Sequence, residues 1–247
     1  MRKRLRYHDL MKPILDLALA AGLPCGSFSD RTEHTPGALR RQPHDTVCKA
    51  LVFHRIGEPR EPLPPEDLAK LPGGFLPGGE GRDVEGVLGF FTGNPEGVAT
   101  VTLDGTYDDK KPTIDKWTHE GIPPEQAEKA FVPYTFLIEP DGAIHQMLRL
   151  DAQGAHARGF NHSGYGIAFL GDFRFEPPTS EQLDSGVAVS VALLHQLKQY
   201  VPAVKLLSHD EARAAIGQGP KDCIGKHFPL EDFRKRITER GRTPSHQ

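Results

Sequence analysis

The sequence has few cysteines and no long hydrophobic segment. Three cysteines in 247 residues are too few for a disulfide framework, so we expect free thiols. No apolar run approaches the roughly 18 residues of a transmembrane helix, and no membrane span is therefore predicted. The net charge is −3, and the one basic cluster lies at the N-terminus, within residues 2–6. This balance does not favour nucleic acid as a partner.

The N-terminal segment lacks a clear signal peptide. Its apolar residues Leu10, Ile14 and Leu17 fall at helical spacing, and Asp16 interrupts them. The central region of a signal peptide is instead continuously apolar. We therefore expect residues 1–45 to form an amphipathic helix and a polar connector outside the core, in a protein that is cytoplasmic before any release.

The remaining pattern predicts an α/β fold, with a mixed central β-sheet flanked by helices. Apolar strand-like runs are interleaved with helical patterns. Thr179 and Gln182 form a capping box that opens a helix to about Tyr200. A last helix is predicted from Leu230 to about Arg240.

An insertion at about 56–116 interrupts this pattern. Residues 56–83 contain six Gly and six Pro and predict a loop. Alternation in residues 84–104 predicts a hairpin. Residues 123–130, which follow the insertion, predict a short helix with proline in its first turn.

Three residues in the rest of the chain suit the protein ligands of a catalytic zinc. His54 and His209 each end an apolar run that predicts a buried strand, and Cys223 follows in a turn-rich loop. Two imidazoles and one thiolate leave the fourth tetrahedral position open for water. A lone histidine at a strand end is more often a packing residue, and a lone cysteine is usually a buried apolar side chain. The spacing matches no short zinc motif, so it does not decide between these interpretations.

A resemblance to a known family favours the zinc interpretation. It is carried by residues 133–146 (PYTFLIEPDGAIHQ), 154–161 (GAHARGFN) and 164–173 (GYGIAFLGDF). In sequence and order these segments are similar to blocks of the zinc-dependent N-acetylmuramoyl-L-alanine amidases. That superfamily includes phage lysis amidases and peptidoglycan-recognition proteins. The resemblance covers roughly residues 46–240 apart from the insertion, and we expect this span to be the amidase domain.

The resemblance implies a fold, a cofactor and a reaction. The fold would be peptidoglycan-recognition-protein-like, with a Zn²⁺ site at strand ends formed by His54, His209 and Cys223. The reaction would be hydrolysis of the amide bond between N-acetylmuramic acid and L-alanine in peptidoglycan. The chain would then be an enzyme of cell-wall degradation, and we expect a monomer acting on peptidoglycan or muropeptides.

The resemblance also implies catalytic residues. Lys221 matches a lysine that is catalytic in the phage lysis enzymes, and we expect it to stabilise the oxyanion. Tyr134 matches the family tyrosine whose phenol faces the zinc water. A solvated loop lysine and a tyrosine filling the sheet edge are the alternatives. Ala168 stands where some muropeptide-recycling relatives place a glutamate, which favours the tyrosine–lysine branch.

Three further residues are candidates for substrate contact. His156 and Asn161 lie in the segment that lines the substrate groove in relatives, and Trp117 is another groove candidate. A structural role is the alternative for each. The chain departs from the family at Ser208, where a glycine usually precedes the histidine, and at Ile224, where a proline usually follows the cysteine. Neither change removes a ligand atom.

Two other functions are open alternatives. Some relatives bind peptidoglycan without cutting it, and they typically lack the cysteine ligand that Cys223 provides here. Other relatives are cytoplasmic amidases that recycle muropeptides. Presence of the whole ligand trio together with Lys221 and Tyr134 favours an amidase that acts on the cell wall.

Overall fold

A computed structural model describes the parts of the chain that form the core. These are residues 24–31, 48–57, 84, 87, 133–150, 154, 156–161, 163–198 and 201–242. The predicted N-terminal helix, the 56–83 loop beyond residue 57, Trp117 and the predicted 123–130 helix lie outside them. Val84 and Val87 are helical, so the hairpin predicted for residues 84–104 is wrong at its beginning.

Within the described residues six strands form one mixed sheet, and flanking helices complete the predicted α/β class. They are β1 (Phe28–Asp30), β2 (Ala50–Ile56), β3 (Phe136–Ile138), β4 (Ile144–Gln146), β5 (Gly164–Leu170) and β6 (Lys205–Ser208). Their order across the sheet is β1-β4-β3-β5-β2-β6. Strands β3 and β4 are antiparallel, and the other described pairs are parallel.

Strand β1 corrects the prediction that all of residues 1–45 lie outside the core. Phe28–Asp30 pairs with β4 at the sheet edge, and Ile144 N–H donates to the carbonyl oxygen of Ser27 at 2.7 Å. A Cβ at Gly26 would lie 2.2 Å from the carbonyl oxygen of Gly142, so only glycine allows this close approach. A strand of three residues is too short to give a periodic sequence signal.

In the part of the chain that the structure describes, two helices cover one face of the sheet. They are α1 (Ser180–Leu197) and α3 (Leu230–Arg242), and the predicted capping box of Thr179 and Gln182 opens α1. The Phe233 ring packs edge-on against Phe53 and Phe169, with centroid distances of 5.1 and 5.7 Å. Burial of these large aromatic side chains stabilises this side of the core.

The opposite face of the sheet carries the candidate site. Successive side chains of a strand point to opposite faces, so the placement of Phe53 against α3 puts His54 on the other side. Val52, on that same side, packs with Ala157 and Ala212 in a small apolar cluster. Among the residues that the structure describes, no helix is long and apolar enough to cross a membrane.

Candidate metal centre

Strand pairing brings the two predicted histidine ligands together. In the parallel register of β2 and β6, Phe53 is opposite Ser208, so His54 and His209 are the next residues in line. His54 is the fifth of seven residues in β2, rather than the last residue as predicted. The two imidazole centroids are 4.7 Å apart, with the rings tilted by 42°.

A short helix that sequence analysis missed holds His209. Helix α2 (His209–Ala214) begins directly after β6, and Ser208 is its N-cap. The Ser208 hydroxyl accepts from the Glu211 N–H at 3.2 Å, and the Glu211 carboxylate accepts from the Ser208 N–H at 2.7 Å. The Ser-x-x-Glu pattern of a capping box was the sequence signal that could have predicted this helix. It also gives the serine at position 208 a local role.

A tight loop returns Cys223 to the two histidines. The Asp210 carboxylate accepts from the Lys221 N–H at 2.7 Å and from the Cys223 N–H at 2.9 Å. Cys223 Sγ then lies 3.8 Å from His54 Nδ1. Ile224, the residue in place of the family proline, is buried in the aromatic core and anchors the end of the loop.

The three side chains fit a zinc-type cation. The ligand atoms of His54, His209 and Cys223 all lie within 4.8 Å of one another, and no other such group occurs among the described residues. The Nδ1 atom of His209 is buried and has no hydrogen-bond partner there, as expected of a nitrogen that faces a ligand site. Imidazole and thiolate are ligands that zinc prefers, and three of them leave one coordination position open.

Burial sets the protonation states of the trio. It lowers the pKa of His54 well below the ordinary value, helped by the nearby His209 and His156. It also lowers the pKa of His209 to about 4, so both imidazoles are neutral at neutral pH, the form that binds metals. Burial raises the pKa of Cys223 to about 11. A bound cation would have to displace the thiol proton.

A third histidine lies behind His54. The Nδ1 atom of His156 is 3.1 Å from His54 Nε2, and its Nε2 is 3.4 Å from the carbonyl oxygen of Gly164. A Cβ at Gly154 or Gly166 would come within 2.8 or 2.7 Å of the His156 ring. The glycines therefore leave the space that this imidazole fills. Predicted as a substrate contact, His156 is only 6% exposed and touches a candidate metal ligand.

The remaining predicted site residues differ in their position relative to the three candidate ligands. The Tyr134 ring is 5.1 Å from the His54 ring. Lys221 is exposed, and its backbone N–H is bonded to Asp210, the residue that follows His209. Asn161 is 1% exposed, and its Oδ1 accepts from the Ala157 N–H at 2.8 Å.

Two residues of the site were missed by sequence analysis. One is Asp210, which is bonded to the cysteine loop as described above. The other is Arg55, which follows His54 and whose positive charge opposes the rise in the pKa of Cys223. Its guanidinium Nε lies 3.3 Å from the fully buried carboxylate of Asp172. Neither has a local sequence signal, because each partner is distant along the chain.

Comparison with known proteins gives a consistent set of matches. The family model described as N-acetylmuramoyl-L-alanine amidase matches residues 92–226. That span contains Tyr134, His209, Lys221 and Cys223 and begins after His54. The structure therefore supplies the link from His54 to the other candidate ligands.

The curated relatives include insect peptidoglycan-recognition proteins. One from Drosophila simulans is 31% identical over 104 residues, which are 42% of this chain and 53% of that protein. Peptidoglycan-recognition protein 2 of Holotrichia diomphalia is 46% identical over 55 residues, or 22% and 29% of the two chains. The chain thus spans about half or less of the length of these two relatives. Among solved structures, the amidase LysC from Clostridium intestinale has 18% identity and a TM-score of 0.47, covering 86% of this chain and 98% of that one.

Proposed function

The chain belongs to the N-acetylmuramoyl-L-alanine amidase family, whose match covers residues 92–226 of 247, and from this membership we propose that it is a zinc-dependent peptidoglycan amidase. The bond cut would be the amide between the lactyl group of N-acetylmuramic acid and L-alanine. The observation that carries this proposal is the convergence of His54, His209 and Cys223, with ligand atoms within 4.8 Å of one another. Once its proton is displaced, the Cys223 thiolate beside two neutral imidazoles completes a ligand set that suits zinc.

The trio would hold the ion through three protein ligands. Such an open site is typical of catalytic rather than structural zinc. When bound, zinc lowers the pKa of a water molecule towards neutrality and polarises a carbonyl oxygen. The geometry supports His54 Nδ1 as one ligand atom, because it faces Cys223 Sγ at 3.8 Å while Nε2 is engaged by His156.

Lys221 and Tyr134 are the residues that we assign to oxyanion stabilisation and to orientation of the attacking water. Lys221 is exposed and lies on the loop that carries Cys223, with its backbone N–H bonded to Asp210. We assign its ammonium to stabilising the negative charge that develops on the carbonyl oxygen during attack. The Tyr134 ring packs beside His54, and we assign its phenol to orienting the attacking water. Ala168 is paired with His54 across β5 and β2 and is fully buried. It offers no carboxylate there, which supports the tyrosine for this role.

The three proposed substrate-groove residues have less direct structural support than the zinc ligands. His156 retains a proposed substrate contact from the family resemblance, and its bond to His54 supports a second role in orienting that ring. Asn161 is buried, so we propose that it shapes the groove by fixing the loop of Ala157. Trp117 remains a proposed groove residue from sequence alone.

Zinc content and activity of one variant test the proposal. We expect the purified protein to bind about one zinc and to release stem peptides from peptidoglycan. Cys223→Ser should abolish release, because serine is a poor zinc ligand at neutral pH. Cys48→Ser, at a buried cysteine of the core, is the matched control and should retain zinc. A metal-free protein with full activity would contradict the proposal.

A second candidate function is peptidoglycan binding without hydrolysis. Similarity to peptidoglycan-recognition proteins favours it. Under this alternative the wild type and Cys223→Ser would bind peptidoglycan equally and neither would release peptides. A comparison of intact wall with soluble muropeptides as substrates would separate wall lysis from muropeptide recycling.

A further inference from the structure

We propose that Asp210 is a positioning residue that sets the zinc affinity of the site by fixing the loop of Lys221 and Cys223. This inference rests on the proposed zinc function. Asp210 is adjacent to one candidate ligand in sequence and bonded to the backbone of another in space. Its carboxylate therefore joins the two parts of the chain that deliver His209 and Cys223.

The contacts of Asp210 use both carboxylate oxygens. Oδ1 accepts from the Lys221 N–H at 2.7 Å, and Oδ2 accepts from the Cys223 N–H at 2.9 Å. Between these residues Asp222 has a φ of 52°, in the left-handed region that residues other than glycine seldom adopt. A left-handed residue lets the neighbouring N–H groups converge on one anion. The carboxylate thus stabilises a turn that the loop would not otherwise favour.

This turn determines where the thiol lies. Cys223 Sγ is 3.8 Å from His54 Nδ1, a separation that depends on the backbone position of Cys223. A second bond, from the Arg213 guanidinium to the Gly219 carbonyl oxygen at 2.7 Å, joins α2 to the start of the same loop. Without Asp210, the loop would keep that earlier bond and lose the two made by the N–H groups of Lys221 and Cys223.

A purely structural role for Asp210 would give a different result. Acidic residues in the first turn stabilise a helix through its dipole, and Asp210 lies in the first turn of α2. Asp232 occupies the corresponding first turn of α3, on the other face of the sheet, and is exposed. Removal of either charge should weaken its helix similarly. Only Asp210 should alter zinc affinity if it acts through the loop.

The test compares three variants with the wild type. The zinc dissociation constant would be measured by competition with a chelator, and the thermal midpoint would be measured on the metal-free proteins. We expect Asp210→Ala to weaken zinc binding by about 10–100-fold, the range typical of residues that orient metal ligands. Asp210→Asn keeps one acceptor oxygen and should weaken binding by less. Asp232→Asn should bind zinc as the wild type does.

The outcomes separate this inference from the function on which it rests. Failure of the wild type to bind zinc would reject the proposed function itself. Wild-type zinc binding with unchanged affinity in both folded Asp210 variants would reject only the role of Asp210. Asp210→Asn is nearly isosteric, so it keeps the test decisive if Asp210→Ala does not fold. Equal losses of affinity in Asp210→Asn and Asp232→Asn would also overturn the inference.

Discussion

The Nε2 atom of His54 lies 3.1 Å from Nδ1 of His156, so the imidazole that faces Cys223 is held from behind by a second imidazole. A hydrogen bond to the far nitrogen of a metal-ligating histidine fixes both its tautomer and its orientation. The relationship joins residues 102 positions apart in the chain. It gives His156 a role that its place in a groove-lining segment does not suggest.

The first prediction concerns His156→Ala. Loss of the bond to His54 should weaken zinc binding by about 10–100-fold, measured by chelator competition. If His156 acts only on substrate, KM should rise while zinc affinity stays at the wild-type value. Unchanged zinc affinity would therefore contradict the orienting role and favour the groove role.

The second prediction concerns the space that Gly166 leaves for the His156 ring. In Gly166→Ala the added methyl carbon would lie 2.7 Å from His156 Cγ, so the ring must shift and weaken its bond to His54. We expect lower zinc affinity, in the same direction as in His156→Ala. Gly241→Ala is the control, because nothing lies within 4 Å of its added Cβ. Equal zinc affinity in the two alanine variants would show that the close packing at Gly166 has no effect on the site.

The third prediction is a proton count for metal binding. Burial keeps His54 and His209 neutral, the latter with a pKa of about 4, and raises the pKa of Cys223 to about 11. Near about pH 6, below the near-neutral pKa of a zinc-bound water, only the thiol proton must leave, so zinc binding should release about one proton and tighten about tenfold per pH unit. Calorimetry in buffers of different ionisation enthalpy measures this count.

The lowered histidine pKa values also determine how many protons zinc binding releases at acidic pH. Histidines with ordinary pKa values would add to the proton release as the pH falls below about 6.5. A release that climbs towards two or three protons near pH 5.5 would contradict the buried, neutral imidazoles. In Cys223→Ser, the residual binding should release about no protons.

Part of this site and of the fold could be predicted from sequence, because the residues concerned carry local sequence signals. His54 and His209 follow apolar residues that are typical of buried strands, and the resemblance to the amidase family implies Cys223 as a third ligand. The Thr179 capping box was also a local signal, and the structure confirms the helix that it opens. Local signals of this kind act over a few residues.

The features that were missed depend on contacts between distant residues. The Asp210 carboxylate reaches a backbone N–H thirteen residues away, and His156 reaches a strand 102 residues earlier. Strand β1 is too short for a periodic pattern, and it is ordered by pairing with β4. The capping box of Ser208 and Glu211 was readable, but the expected strand end at His209 concealed it.

The fourth prediction separates chemistry from metal binding. Lys221→Ala should fold and retain zinc, yet lose about 10²–10³-fold in kcat, the scale seen for one oxyanion donor. His209→Ala should instead lose zinc, because two protein ligands hold the ion less well than three. Zinc content and kcat measured on the same preparations distinguish the two variants. Near-full turnover by Lys221→Ala would make the lysine a bystander.

The most direct test of the central claim is mass spectrometry of the products from a defined muropeptide, with zinc-loaded and metal-free protein compared. We expect a peptide that begins with a free L-alanine amine and a muramic acid with a free lactyl carboxylate. Both products should form with the zinc-loaded protein, and the metal-free protein should form neither until zinc is restored. Cleavage at another bond would contradict the proposed amidase reaction, and equal cleavage with and without zinc would contradict the assignment of His54, His209 and Cys223 as a catalytic zinc site.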